Sequence, residues 1–113
     1  MNFFNLFSKK KKLAANRKKA LSYVLYGSNL ASTNQYDDAV LMFKKAIAVD
    51  DNCAEAHYGL GLVYAKKDMG KEAFEEYNKA VKINPDYKII MDKFGIGRSD
   101  DFDIIKELKK KKE

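Results

Sequence analysis

Apolar residues recur along this chain with the period of an α-helix. They return every three or four positions in the segments 21–28, 39–47, 58–65 and 73–81, and short polar stretches separate these segments. Side chains three and four residues apart share one face of a helix, whereas a half-buried strand alternates every second residue. The pattern therefore predicts two pairs of helices joined by polar turns, and it predicts no strands.

The two predicted helix pairs are copies of one another. Residues 20–87 contain a 34-residue unit written twice, and both small and large side chains repeat at this distance. The repeated pairs are Gly27 and Gly61, Ala31 and Ala65, Ala39 and Ala73, Phe43 and Tyr77, Lys45 and Lys79, and Ala46 and Ala80. Self-similarity at this period is typical of a stacked solenoid, which presents surfaces to other proteins more often than it catalyses a reaction.

Polar and special residues predict where the helices begin and end. Asn52, followed three residues later by Glu55, matches a capping box, and Pro85 suits the first position of a further helix. Gly95 and Gly97 should end that helix early. A last helix is expected from about residue 100, and its apolar positions are Ile104, Ile105 and Leu108.

The two units resemble tetratricopeptide repeats, whose signature places Trp, Leu, Gly and Tyr in the first helix and Ala, a large aromatic residue, Ala and Pro afterwards. The second unit carries His57, Leu60, Gly61, Tyr64, Ala73, Tyr77, Ala80 and Pro85 at these places. The first unit carries Tyr23, Tyr26, Gly27, Leu30, Ala39, Phe43, Ala46 and Asp51. The first unit keeps the small residues and the aromatic residues but loses the Leu, the Tyr and the Pro, so it is the more divergent copy.

The resemblance implies an all-α fold, a right-handed helical-hairpin solenoid of two tetratricopeptide units at about 20–53 and 54–87. A degenerate third unit or a capping helix should follow. We divide the chain into a basic amphipathic tail at 1–12, the repeat pair with an extended first helix at 13–87, and capping helices with a basic tail at 88–113. Because two repeats bury little surface, either the C-terminal helices or a second copy of the chain should cover the bare ends.

The resemblance also implies a binding groove on the concave face, which the first helix of each unit lines. The predicted groove residues are Leu21, Val24, Ser28, Glu55, Tyr58, Leu62, Lys66 and Ile89. Members of the family that clamp a chaperone's C-terminal carboxylate carry Lys and Asn where this chain has Val24 and Ser28, and Asn in place of Gly59. The clamp is therefore absent here, and we do not expect chaperone-tail binding.

The predicted groove is largely apolar, which suits a protein partner's amphipathic helix or extended peptide. Two other occupants are consistent with the same pattern. The chain's own last helix could fill the groove, or a second copy of the chain could do so. The leading hypothesis is a non-enzymatic adaptor that docks a protein partner, with Glu55 and Lys66 setting the partner's orientation.

The net charge of +6 is unevenly distributed along the chain. Residues 1–19 carry seven bases and no acid, residues 20–87 are acidic overall, and the end of the chain is basic again. Phe3, Phe4, Leu6 and Phe7 share one helical arc and directly precede Lys9, Lys10, Lys11 and Lys12. An apolar wedge beside a basic run is what contact with an anionic membrane requires.

The alternative function is therefore a membrane-associated assembly factor, anchored by this segment and self-associating through the repeats. The segment has structural interpretations as well. It could be a disordered tail, its phenylalanines could cap the first repeat, or its lysines could simply solubilise the end.

Other chemistry has little support in the sequence. Cys53 and His57 together supply two metal ligands where zinc needs four, and no further Cys or His is present. We find no nucleophile paired with a base and no phosphate-binding loop, so we predict no enzyme activity, no metal and no cofactor. The terminal lysines lack interleaved aromatic residues, which disfavours nucleic acid as a partner. A cytoplasmic protein is expected, with peripheral contact at the inner face of the membrane as the alternative.

Overall fold

The computed structural model describes residues 3–95, and this range folds into five α-helices without a strand. The helices are α1 (Phe3–Ser32), α2 (Tyr36–Val49), α3 (Ala54–Lys66), α4 (Gly70–Ile83) and α5 (Asp86–Phe94). α1 pairs with α2, α3 pairs with α4, and α3 also packs on the first pair. The predicted all-α solenoid of helical hairpins is confirmed within these residues.

The two turns inside the hairpins have the same geometry. Asn34 and Asp68 both adopt a left-handed backbone conformation, with φ of 63° and 60°. The next residue in each turn donates its backbone N–H to a carbonyl five positions back, from Gln35 to Leu30 over 2.9 Å and from Met69 to Tyr64 over 2.8 Å. Asn and Asp tolerate this conformation better than most residues, which explains why one of them stands at each turn.

The turns between units also repeat, and they correct the predicted capping box. Asp50 accepts the backbone N–H of Asn52 on Oδ1 over 3.1 Å, and Asn84 accepts that of Asp86 over the same distance. Asn52 therefore does not cap α3. The cap position of α3 is Cys53, which makes no side-chain capping bond. The side chain of Asp50 instead closes the turn before α3 begins, and no side chain caps α3.

Two aromatic rings fill the spaces that the small residues leave between helices. A Cβ atom built on Gly27 would lie 3.1 Å from the Phe43 ring, and one built on Gly59 would lie 2.6 Å from it. A Cβ atom on Gly61 would lie 2.5 Å from the Tyr77 ring. Phe43 and Tyr77 are almost completely buried. The glycines thus allow each ring to pack directly on helix backbone.

α5 is shorter than the first helix of either repeat. It ends at Gly95, which has a left-handed φ of 65°, so the early stop predicted from this glycine is confirmed. Met91 is its one buried residue and packs near Tyr77. The predicted last helix, with Ile104, Ile105 and Leu108, lies outside the described residues.

The N-terminal part of α1 extends beyond the repeats. Residues 3–15, which we call the arm, are all exposed, and Ala20 is the first fully buried residue of the helix. α1 nevertheless runs without a break from the arm into the first hairpin. The phenylalanines of the arm therefore do not cap the first repeat.

Candidate partner-binding groove

The predicted groove residues of α1 and α3 recur every three or four positions, so each set lies along one side of its helix. Ser28, Leu62 and Lys66 line an open cleft of about 400 Å³ between the two helices. The other lining residues are Ala31, Ser32, Asn34, Tyr36, Gly59 and Val63. The structure thus brings three of the eight predicted residues together in one cleft.

The cleft combines an apolar wall with one charged rim. Leu62 keeps 36% of its surface exposed there, and Gly59 leaves room at the cleft wall because it has no side chain. Lys66 is exposed, and no ion pair within residues 3–95 uses it. The neighbouring Lys67, in contrast, is bound to Asp37. The cleft therefore offers apolar contact beside one available positive charge.

Glu55 lies away from this cleft and already has a partner. Its carboxylate accepts a hydrogen bond from Arg17 of α1, and Arg17 also lies 4.0 Å from Asp50. Burial alone would lower the pKa of Arg17, but the charge and hydrogen bond of Glu55 outweigh this effect and raise it. This end of the predicted groove is closed by an ion pair that joins α1 to the start of α3.

Tyr58 supports the second hairpin from the groove side. Its ring centroid lies 5.0 Å from that of Tyr87 and 6.0 Å from that of Tyr77, both tilted by 46°. Burial raises the pKa of Tyr77 to about 12 and also raises that of Tyr58, so both hydroxyls stay protonated at neutral pH. Tyr58 thus holds α4 and α5 against α3, which the sequence pattern did not indicate.

The remaining three predicted residues lie outside the cleft. Val24 is half-buried and packs against core residues around Ala20 and Phe43. Leu21 keeps 38% and Ile89 keeps 68% of its surface exposed. Ile89 belongs to α5, so only a partner longer than the cleft would reach it.

A second cavity, of about 340 Å³, lies between α2 and the second hairpin, and a part-buried hydrogen bond between His57 and Glu76 lies on its wall, which the sequence pattern did not reveal. His57 Nδ1 lies 2.6 Å from Oε2 of Glu76, and Nε2 lies 3.3 Å from the carbonyl oxygen of Asp51. Burial alone would raise the pKa of Glu76, but the hydrogen bonds from His57 and Lys79 and their charges lower it overall. Because the pair is 19 residues apart, no local motif could have indicated it.

Neither cavity contains an obvious metal site. No group of three His, Cys, Asp or Glu side chains within residues 3–95 is arranged to hold a metal ion. Cys53 is a buried free thiol, and burial raises its pKa, which keeps it protonated. Within the same residues, no helix is both long enough and apolar enough to cross a membrane.

Comparisons with known proteins agree with the fold. Anaphase-promoting complex subunit 3 of Schizosaccharomyces pombe is 31% identical over 75 residues, which are 66% of this chain and 11% of that protein. The cell division cycle protein 27 homolog of Caenorhabditis elegans is 38% identical over 66 residues, which are 58% of this chain and 8% of that protein. The chain thus spans only 8 to 11% of the length of these relatives.

A solved structure and two family profiles match the same region. The crystal structure of YrrB, described as a TPR protein with an unusual peptide-binding site, superposes with a TM-score of 0.58 at 33% identity, over 66% of this chain and 39% of that one. The profile described as TPR repeat matches residues 27–68, and the profile described as tetratricopeptide repeat matches residues 54–87. Together the profiles cover more than half of the chain, which belongs to the tetratricopeptide repeat family.

Proposed function

We propose that this chain is a non-enzymatic adaptor that docks a protein partner's helix or extended peptide in the cleft between α1 and α3. The observation that carries the proposal is the open cleft of about 400 Å³, in which Leu62 is exposed beside Lys66. Clefts that bind peptides combine apolar contact area with a few polar groups that fix orientation. The similarity to YrrB, whose structure is described as having a peptide-binding site, supports this assignment.

The charges around the cleft indicate how a partner would be oriented. Arg17 and Glu55 neutralise each other at the end of the predicted groove that lies away from the cleft, whereas Lys66 is available on the cleft rim. A partner should therefore place an apolar side chain against Leu62 and an acidic side chain near Lys66. Ser28 adds a hydroxyl group on the opposite wall of the cleft.

The test is a selection of peptides from a random phage-displayed library on the full chain, followed by fluorescence anisotropy with the selected peptides. Leu62→Asp should weaken binding at least ~10-fold, because it places a charge on the apolar wall. Leu41→Asp is the matched control, since Leu41 is an exposed leucine on α2 outside the cleft. Equal loss in both variants, or no loss in either, would refute the cleft assignment.

Self-association is a second candidate function. The observation in its favour is that α5, the last described helix of the stack, exposes Ile89 to 68% and Phe94 to 66%. In a solenoid, such apolar end surfaces pack against a further unit or against a second chain. Sedimentation equilibrium of the full chain and of Ile89→Asp with Phe94→Asp tests it. An oligomer that the double substitution dissociates supports this role, and a monomer at all concentrations excludes it.

A further inference from the structure

The arm of α1 exposes large apolar side chains to solvent. Phe3, Phe4 and Phe7 are 82%, 78% and 64% exposed, and Leu6 is 38% exposed. Amphipathic helices that bind at a membrane interface bury such apolar side chains to a depth of about 5–10 Å.

Four lysines directly follow these residues on the same helix. Because an α-helix has about 3.6 residues per turn, the side chains of Lys9–Lys12 point to all sides of the axis. Residues 3–19 carry seven bases and no acid, and no ion pair within residues 3–95 involves Lys9–Lys12. The apolar residues of the arm are thus followed by lysine side chains on every side of the helix.

The first hairpin supports the helical conformation of the arm. An isolated helix of this length is marginal in water, because the first turn is costly to form. Here the arm continues a helix whose later residues Ala20 and Gly27 are buried in the repeats. The arm then only has to extend a helix that is already formed, so the positions of its phenylalanines and lysines around the helix axis are fixed.

The charge decides which surface fits the arm. Pairing of the arm with the arm of a second copy would bring two acid-free basic segments together, which is electrostatically unfavourable. A nucleic acid duplex would neutralise the lysines but would leave the phenylalanines in water. An anionic bilayer satisfies both features at once, because its interface accepts the phenylalanines while its phosphates attract the lysines.

We propose that the arm of α1 binds an anionic lipid surface, with Phe3, Phe4, Leu6 and Phe7 in the interface and Lys9–Lys12 at the level of the phosphates. The proposal is independent of the cleft, whose first residue on α1, Ser28, lies 13 residues beyond the end of the arm. The arm would hold the chain at a membrane without spanning it and would leave the cleft exposed to solvent.

Vesicle flotation of the full chain tests the apolar contribution. The chain should float with vesicles of phosphatidylcholine and phosphatidylglycerol and not with phosphatidylcholine alone. Phe3→Ser with Phe7→Ser should weaken binding at least ~10-fold, because two exposed aromatic rings lose their burial. Leu25→Ser with Leu41→Ser is the matched control, since both leucines are exposed on the repeats, and it should bind like the parent chain.

The contribution of the lysines is tested on the same vesicles. Changing Lys9–Lys12 to glutamine should reduce binding at least ~10-fold at low salt, because each lysine near an anionic surface contributes separately. The matched control changes four other exposed lysines to glutamine, namely Lys44, Lys45, Lys71 and Lys82. Equal losses in the two quadruple variants would show that net charge alone drives binding and would overturn the proposal.

A tryptophan probe places the contact on the chain, which contains no tryptophan of its own. The fluorescence of Phe7→Trp should shift to shorter wavelength when anionic vesicles are added, whereas that of Leu25→Trp should not. An unchanged Phe7→Trp spectrum at saturating lipid would overturn the proposal. The proposal would also be overturned if the chain bound a mixed-sequence DNA duplex as tightly as it binds the vesicles and if Phe3→Ser with Phe7→Ser weakened neither interaction.

Discussion

The two hairpins share one backbone plan but contact the following helix through different chemistry. In the first hairpin, Phe43 packs between the backbones of α1 and α3 at Gly27 and Gly59. In the second, Tyr77 packs on Gly61, and its other side meets the short helix α5 through Met91 and Tyr87. Within residues 3–95, the first hairpin therefore has a full repeat on its outer side, whereas the second has the nine residues of α5.

The buried polar groups differ in the same way. The second hairpin contains the pair of His57 and Glu76, while the equivalent residues of the first, one repeat earlier, are Tyr23 and Met42. The same helical frame thus tolerates either apolar packing or an ion pair at this place. What the repeat requires is a filled space between the helices, and the local sequence decides how it is filled.

The largest expected effect is the removal of an aromatic ring from between the helices. Phe43→Ala should lower the free energy of unfolding by about 3–5 kcal/mol, because it leaves a cavity between three helices. Tyr77→Ala should cost about 1 kcal/mol less, since the helix on its outer side among the described residues is the short α5. Urea denaturation followed by far-UV circular dichroism measures both values. Equal losses would mean that α5 supports Tyr77 as fully as α3 supports Phe43.

Glycines at the same repeat position should respond unequally to substitution. The Cβ of Gly61→Ala would lie 2.5 Å from the Tyr77 ring and 3.2 Å from the backbone oxygen of Ala73, so we expect a loss of about 2 kcal/mol. Gly27→Ala meets only the edge of Phe43, at 3.1 Å, and the better helix propensity of alanine, about 1 kcal/mol, should offset the strain. Thermal denaturation of both variants checks the difference, and a larger loss in Gly27→Ala would contradict it.

Acid should weaken the second hairpin before the first. The pKa of Glu76 in the folded chain is below its ordinary value of 4.5, so the carboxylate stabilises the fold above that pH. This contribution is lost as the pH falls through the lower folded pKa. Glu76→Gln should therefore cost about 1 kcal/mol at pH 6 and flatten the loss of stability below pH 4.5.

The matched control for Glu76 is its exposed neighbour, Glu75→Gln, which should leave the pH profile of stability unchanged. Amide hydrogen exchange at pH 4 and pH 6 locates the effect. Protection in α4 should fall more than protection in α2. A uniform fall in both helices would mean that the pair does not act on the second hairpin alone.

The smallest expected effect belongs to the ion pair that joins the two hairpins at the surface. Lys67 binds Asp37, whose side chain is 87% exposed. Such pairs contribute little because water and salt screen them, so Asp37→Asn should change the free energy of unfolding by less than about 0.5 kcal/mol. Chemical denaturation at low and high salt measures this, and a loss of more than about 1 kcal/mol would show that the contact between the hairpins depends on charge.

The sequence predicted the repeats well because their determinants are local or strictly periodic. The spacing of apolar residues indicated four helices joined by polar turns, and Gly95 indicated the end of the next helix; the structure contains all of these features. The capping prediction at Asn52 was wrong because α3 begins one residue later than the motif implies, with Cys53 at the cap position and Asp50 closing the turn before it. Local pattern alone could not choose between the two cap positions.

The groove was harder to predict, because family position does not say which side chains are already in use. Arg17 binds Glu55, Tyr58 packs on Tyr77 and Tyr87, and these contacts join residues 19 to 38 positions apart. Only Ser28, Leu62 and Lys66 remain together in an open cleft. The assignment of the cleft to a partner stays a prediction.

By itself, the sequence determined the class of this protein, since a 34-residue period with small and aromatic residues at fixed places permits few folds. It also determined the uneven charge of the chain. The tertiary structure decided which groove residues are available and revealed the pair of His57 and Glu76. It also showed that the arm stands away from the repeats. These features depend on contacts between distant segments, which side-chain periodicity cannot encode.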